Sequence, residues 1–215
     1  MRAARETKRS FPVKRADDIR CVAGILVGGR SARMGRPKAT LPLPDGRALV
    51  EHVAGVALHT GRWIEEVVIL GHCEGSPAGL AGLAVLPDAE PGAGPLIGLC
   101  SLLEYALERW ALLLACDMPL LEPMLVERLC AAVSPECDAV AFRRPDRPNA
   151  WHACCAMYHP RLLPVAIREF RQGSRSLQSL LAKVRVAGLE PAPEEQRAMM
   201  NLNTPQEYDR LLHRI

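Results

Sequence analysis

The stretch Cys21-Val22-Ala23-Gly24-Ile25-Leu26-Val27-Gly28-Gly29-Arg30-Ser31-Ala32-Arg33-Met34-Gly35-Arg36-Pro37-Lys38 decides how the fold is read. Its first seven residues are a short apolar run that ends in two glycines, the pattern of a buried strand feeding a glycine loop. Similar runs recur at 66–70 (EVVIL), 83–86 (LAVL) and 111–115 (ALLLA), each bounded by Gly, Pro or Asp, as strands buried on both faces of a parallel sheet should be. Between them, 47–60, 95–109 and 121–133 carry apolar residues at spacings of three and four, which predicts helices. Strands alternating with helices predict an α/β fold: a doubly wound, mostly parallel sheet of Rossmann-like type in three α/β/α layers.

Beyond Asp138 the pattern loosens. DAVAF and WHACCAMY are read as strands, 161–170 and 177–183 as helices, and the last helix follows Thr204. There Thr204-Pro205-Gln206-Glu207 supplies an N-cap hydroxyl, a Pro at the first helical position and a Glu able to close a capping box. Residues 201–203 should therefore end a strand or form a loop.

The glycine loop stands just past the carboxyl end of a strand, where open α/β sheets bind ligands. Glycines let backbone N–H groups approach phosphate oxygens, and Arg33 and Lys38 can neutralise a triphosphate and the departing pyrophosphate. Neither a Walker A loop nor a dinucleotide fingerprint is present, because Ala39 follows Lys38 and GxGxxG is missing. A flexible surface turn is the bland alternative. Asp117 ends the run ALLLAC and precedes Met118-Pro119, so its carboxylate should emerge at the same sheet edge as the loop. One carboxylate there is enough for Mg²⁺, which binds through one or two carboxylates with phosphates and water; capping of the next turn is the structural alternative.

Length and composition bound these readings. A chain of 215 residues buries one substantial core, and we read it as one domain over 21–215 behind a flexible basic extension, 1–20. That extension holds seven Lys/Arg against three Asp/Glu and leaves 20 basic against 21 acidic residues behind it. A near-neutral body argues against a nucleic-acid footprint. No apolar stretch approaches the roughly 20 residues of a membrane span, and the leader lacks a secretory core, so a cytoplasmic protein that partners neither nucleic acid nor membrane is expected. The eight cysteines include no CxxC pair and mostly sit in apolar runs, the setting of reduced, buried thiols. Cys154 and Cys155 should face opposite sides of a strand.

Residues 27–38 (VGGRSARMGRPK), followed by 41–53 (LPLPDGRALVEHV), resemble the signature of the nucleotidyltransferases that build dinucleotide forms of the molybdenum cofactor. Further matches follow in order: Asp88, GPLIG at 94–98, CDMP at 116–119 and NLNTPQE at 201–207. The resemblance spans nearly everything beyond the extension. It implies transfer of GMP from GTP to molybdopterin, with Mg²⁺ on Asp117, catalysis by Arg33, Lys38 and Asp117, and nucleotide contacts from Leu26, Val27, Gly28, Gly29, Lys38, Asp88 and Asp117. Cofactor-delivery proteins or acceptor molybdoenzymes are the protein partners it suggests.

Asn201 and Asn203 would share one side of a strand and line the acceptor pocket, or else cap the Thr204 helix. His152, within PNAWHACCAMY, either touches the acceptor or is structural, and Gly173-Ser174-Arg175-Ser176 either binds an acceptor phosphate or is an ordinary N-cap. Related cytidylyltransferases carry aspartates in the Asn motif and an AAG start, so Asn201, Asn203 and Gly28-Gly29 favour the guanylyl branch by resemblance. Val27 and Gly71-His72-Cys73 depart from the common pattern. The competing readings are a cytidylyltransferase on the same cofactor, a sugar-phosphate nucleotidyltransferase, and a non-catalytic nucleotide-binding module.

Overall fold

Strand β1 (Cys21–Leu26) lies at the centre of the sheet, and its alternating side chains feed two separate cores. Cys21, Ala23 and Ile25 point to one face; Val22 points to the other. The computed structural model describes residues 19–28, 37–72, 75, 77–87, 90, 92–147 and 149–212. Gly29, Arg33 and Asp88 lie outside them, as does the expected extension up to residue 18.

Helix α1 (Leu49–His59) carries the chain to β2 (Ile64–Leu70), which pairs parallel with β1, and β3 (Ala84–Leu86) adds parallel to β2. Helix α2 (Pro95–Ala106) then leads to β4 (Trp110–Ala115), parallel to β1 on its other side. Right-handed crossovers to opposite sides of one strand must use opposite faces of the sheet. Accordingly α1 packs with the first core and α2 with the second, and the strand order reverses between β1 and β4.

The remaining elements are α3 (Pro123–Ala131), β5 (Ala139–Arg143), β6 (Trp151–Tyr158), α4 (Leu163–Arg171), α5 (Leu177–Leu181), β7 (Val186–Leu189), α6 (Pro193–Ala198) and α7 (Pro205–Leu212). Strand β6 runs antiparallel between β4 and β5, and β7 closes the far edge parallel to β5, giving the order β3-β2-β1-β4-β6-β5-β7. Helices α3 and α6 join α1, while α4 and α5 join α2, so the doubly wound three-layer reading is borne out. Cys154 and Cys155 do face opposite cores, and the seven described cysteines are free thiols.

Two expectations need correction. Residues 83–86 are not buried on both faces: β3 is an edge strand paired only with β2, and Val85 is 55% exposed. The helix expected over 95–109 stops at Ala106, because Leu107 turns to φ 57° and breaks it. Of the two alternatives read for residues 201–203, the loop is the one found. Its backbone pairs with the turn after β4, Leu202 N–H donating to the Asp117 carbonyl at 2.9 Å.

Two glycines set how closely α2 rests on the sheet. A Cβ on Gly24 would stand 2.7 Å from Leu102 Cδ2 and 2.8 Å from Leu70 Cδ1, and one on Gly98 would stand 2.5 Å from Leu26 Cδ2. All three distances are below van der Waals contact, so only glycine allows the helix to seat there. Close seating puts the first turn of α2 at the carboxyl ends of β1 and β4.

Candidate active site

The two central strands end together, Leu26 opposite Ala115, and their hydrogen bonding continues past both ends. Val27 N–H donates to Leu70 O at 3.1 Å and Cys116 N–H to Leu26 O at 3.1 Å. Each chain therefore leaves the sheet in a fixed direction. A cleft of about 240 Å³ opens there, walled by Leu26, Val27 and Gly28 from β1 and by Ala115, Cys116 and Asp117 from β4, with Lys38, Pro95, Cys154 and Asn201 completing it. This is the crevice where strand order reverses, the place open α/β sheets reserve for ligands.

Lys38 reaches the cleft because the chain after the glycine loop is anchored behind it. Residues Lys38–Thr40 make one tight turn, Leu41 N–H donating to Lys38 O at 3.0 Å and the Thr40 hydroxyl to Pro37 O at 3.0 Å. Leu41 and Leu43 then join Leu49, Leu202, Tyr208 and Leu211 in a small third core. The Tyr208 hydroxyl also donates to Pro42 O. That core binds the Lys38 segment to the loop 201–203 and to α7, so residues from the two ends of the domain meet at one site.

The charges meet there too. Lys38 Nζ lies 3.0 Å from Asp117 Oδ2, with only 20% of the lysine side chain and 15% of the aspartate side chain exposed. Lys38 Nζ also donates to Asn203 Oδ1 at 3.3 Å, and Asn201 Nδ2 donates to Asp117 Oδ1 at 2.8 Å. Asn203 is held in turn: its Nδ2 donates to Asn201 O at 3.2 Å and its backbone N–H to Glu207 Oε2 at 2.7 Å. Glu207 closes the capping box read in the sequence, accepting from Thr204 N–H while its own N–H donates to the Thr204 hydroxyl, both at 3.2 Å. The two asparagines thus brace the ion pair.

Cys154 was read only as a buried thiol, yet it forms part of the cleft wall. Burial, and after it the nearby Asp117 carboxylate, push its thiol up to about 12, so it stays protonated and acts as a small apolar surface. Its position was not legible in the chain because β6 is antiparallel and comes alongside β4 only through tertiary pairing. Pro95 follows Gly94, whose φ of +87° calls for glycine and where a Cβ would stand a tight 3.1 Å from Arg175 O. The positive end of α2 therefore borders the cleft.

Other sequence candidates lie elsewhere. His152 is half-buried at the start of β6 and is not on the cleft wall; burial, then Arg144, hold its imidazole below the ordinary range. Ser176 is the N-cap of α5, its hydroxyl accepting from Ser179 N–H at 3.4 Å. Arg175 stacks on Phe170, 4.1 Å from the ring centroid.

Among the described residues, no cluster of three His, Cys, Asp or Glu could enclose a cation. Asp117 offers one hard oxygen donor at an open cleft, which suits a magnesium ion that takes its other ligands from phosphates and water.

A family model described as a MobA-like NTP transferase domain matches residues 23–188. The chain belongs to that family. Among curated members, it is 34% identical to the molybdenum cofactor guanylyltransferase of Pseudomonas entomophila, over 86% of this chain and 95% of the relative. It is 31% identical to a probable molybdenum cofactor guanylyltransferase of Nostoc sp., over 85% and 86%. The fold matches molybdopterin-guanine dinucleotide biosynthesis protein A of Archaeoglobus fulgidus with a TM-score of 0.72 at 22% identity, covering 89% of this chain and 97% of that one. It also matches 2-C-methyl-D-erythritol 4-phosphate cytidylyltransferase of Thermus thermophilus, with a TM-score of 0.66 at 19% identity over 91% and 98%. Proteins with different names thus share this fold, and the fold alone assigns no substrate.

Proposed function

We propose that this chain transfers GMP from GTP to molybdopterin, releasing pyrophosphate and forming molybdopterin guanine dinucleotide in the cytoplasm. The carrying observation is the Lys38–Asp117 pair at the carboxyl ends of β1 and β4, in the cleft where strand order reverses. Support comes also from the curated relatives, which carry the guanylyltransferase name at 31–34% identity over most of their length. Among the described residues, no helix is long and apolar enough to cross a membrane.

In this reading the nucleotide lies across Leu26, Val27 and Gly28, its phosphates directed at Lys38 and the first turn of α2. A phosphate oxygen of molybdopterin attacks the α-phosphorus in line. The new P–O bond forms as the bond from that phosphorus to the β-phosphate bridging oxygen breaks, and pyrophosphate carries off the electron pair. The attacking oxygen is already anionic, so no general base is needed, and catalysis rests on alignment and charge stabilisation. Lys38 neutralises charge on the phosphates, and we assign Arg33, Gly29 and Asp88 to the same nucleotide. Asp117 would hold a magnesium ion, whose charge would offset that of the phosphates. Asn201, on the wall beside Asp117, is assigned to the acceptor in the same reading. Acceptor molybdoenzymes or delivery proteins would dock at this mouth.

Turnover with molybdopterin and each of GTP, CTP, ATP and UTP tests the assignment. GTP should be preferred by at least about 100-fold in kcat/KM, the discrimination expected where buried hydrogen-bonding groups read the base. Preference for CTP would place the chain in the cytidylyl branch, and nucleotide binding without pyrophosphate release would overturn the catalytic reading.

A further inference from the structure

The residue best suited to hold a cation is engaged on both carboxylate oxygens. Asp117 Oδ1 accepts from Asn201 Nδ2 at 2.8 Å, and Oδ2 faces the Lys38 ammonium at 3.0 Å. An ammonium in that position competes with a divalent cation twice over: it occupies the oxygen, and its charge repels the ion across a partly buried site where screening is weak. Lys38 is also steadied from the other side by Asn203 Oδ1, whose orientation is set by Asn201 O and the Glu207 cap.

We infer that Lys38 closes the cation site of the nucleotide-free protein, with Asn203 as the positioning residue that keeps it there, and that an incoming nucleoside triphosphate opens the site by drawing Lys38 onto its phosphates. This rests on the reading that Asp117 holds the cation. A triphosphate offers the ammonium several anionic oxygens where Asp117 offers one, so Lys38 gains by moving. Its departure uncovers Asp117 Oδ2. Nucleotide and cation then strengthen each other's binding reciprocally, as linkage requires. The free protein keeps a low affinity for divalent ions, and the active arrangement assembles only around the metal–nucleotide pair.

The test measures Mn²⁺ binding by electron paramagnetic resonance and calorimetry, without and with a GTP analogue carrying a methylene between the α- and β-phosphorus. Binding is corrected for the manganese–analogue complex in solution. For the wild type, the analogue should tighten Mn²⁺ binding at least ten-fold. Lys38→Met should tighten Mn²⁺ binding to the free protein at least ten-fold and shrink the enhancement by analogue. Lys38→Arg, which restores the charge, should return the free-protein affinity towards wild type. Asn203→Ala, which keeps the lysine and loosens it, should tighten free-protein binding by several-fold.

Unchanged free-protein affinity in a folded Lys38→Met variant overturns the inference. If that variant does not fold, unchanged affinity in Asn203→Ala overturns it instead. The two readings fail separately. Normal dinucleotide synthesis with unchanged Mn²⁺ affinities sinks only the closure, whereas the expected affinities without GMP transfer to molybdopterin sink only the guanylyltransferase reading.

Discussion

Replacing Asp117 by alanine separates the chemistry of the cleft from its architecture. The substitution deletes the acceptor of two hydrogen bonds, from Lys38 Nζ at 3.0 Å and from Asn201 Nδ2 at 2.8 Å. Hydrogen bonds to charged groups contribute about 1.5–3 kcal/mol each, and losing one would leave a buried donor unpaired. Here the loss is smaller. Lys38 retains Asn203 Oδ1, the site opens to solvent, and the Asp117 carbonyl still accepts from Leu202 N–H. A net destabilisation of about 1–2 kcal/mol follows, which for a domain of this size lowers Tm by roughly 2–8 °C. Turnover should fall much further, by about 10³-fold or more, because the carboxylate proposed to hold the charge-offsetting magnesium ion is removed. Pyrophosphate release from GTP with molybdopterin, beside a thermal melt followed by circular dichroism, measures both quantities. Near-normal turnover in the folded variant would refute the assignment of Asp117 as the metal-bearing carboxylate.

Two further expectations concern the scaffold. Gly98→Ala places a Cβ about 2.5 Å from Leu26 Cδ2 and must push a cleft-wall side chain aside; overpacking costs about 1–3 kcal/mol, and KM for GTP should rise several-fold more than kcat falls. Asp138 ties the start of β5 to Arg161 Nε at 2.6 Å and to Arg185 Nε at 3.2 Å. Burial alone would raise its carboxyl, but the Arg185 and Arg161 contacts override it and hold the group down to about 2. The sign follows from linkage: stability from this depressed carboxyl is complete above its unfolded value near 4 and is lost as pH falls towards 2. With both arginines more than a third exposed, solvent screening trims it to about 1–2 kcal/mol. Denaturant melts across pH 2–6 should therefore show Asp138→Asn less stable than wild type above pH 4 and level with it near pH 2.

The chain by itself specified much of this molecule. Apolar runs ending in Gly28, Leu70 and Ala115 set the central parallel strands, since only strands covered on both faces can be apolar throughout. The Thr204–Glu207 cap was legible from spacing because its bonds close within four residues. Lys38 and Asp117 could be picked out singly, each standing beyond a strand end. Low contrast hid the rest: LAVL reads as a strand, but as a buried one, although β3 is an exposed edge, and VAGL of β7, short and half-buried, was not read at all.

Tertiary structure alone decided how the site is braced. Lys38 meets Asn203 across 165 positions and Asn201 meets Asp117 across 84, and no local pattern encodes contacts so distant. They exist because a small core of Leu41, Leu49, Leu202 and Tyr208 draws the two ends of the domain together. Cys154 reached the cleft wall in the same way, through an antiparallel strand that hydrogen bonding, and not chain order, set beside β4.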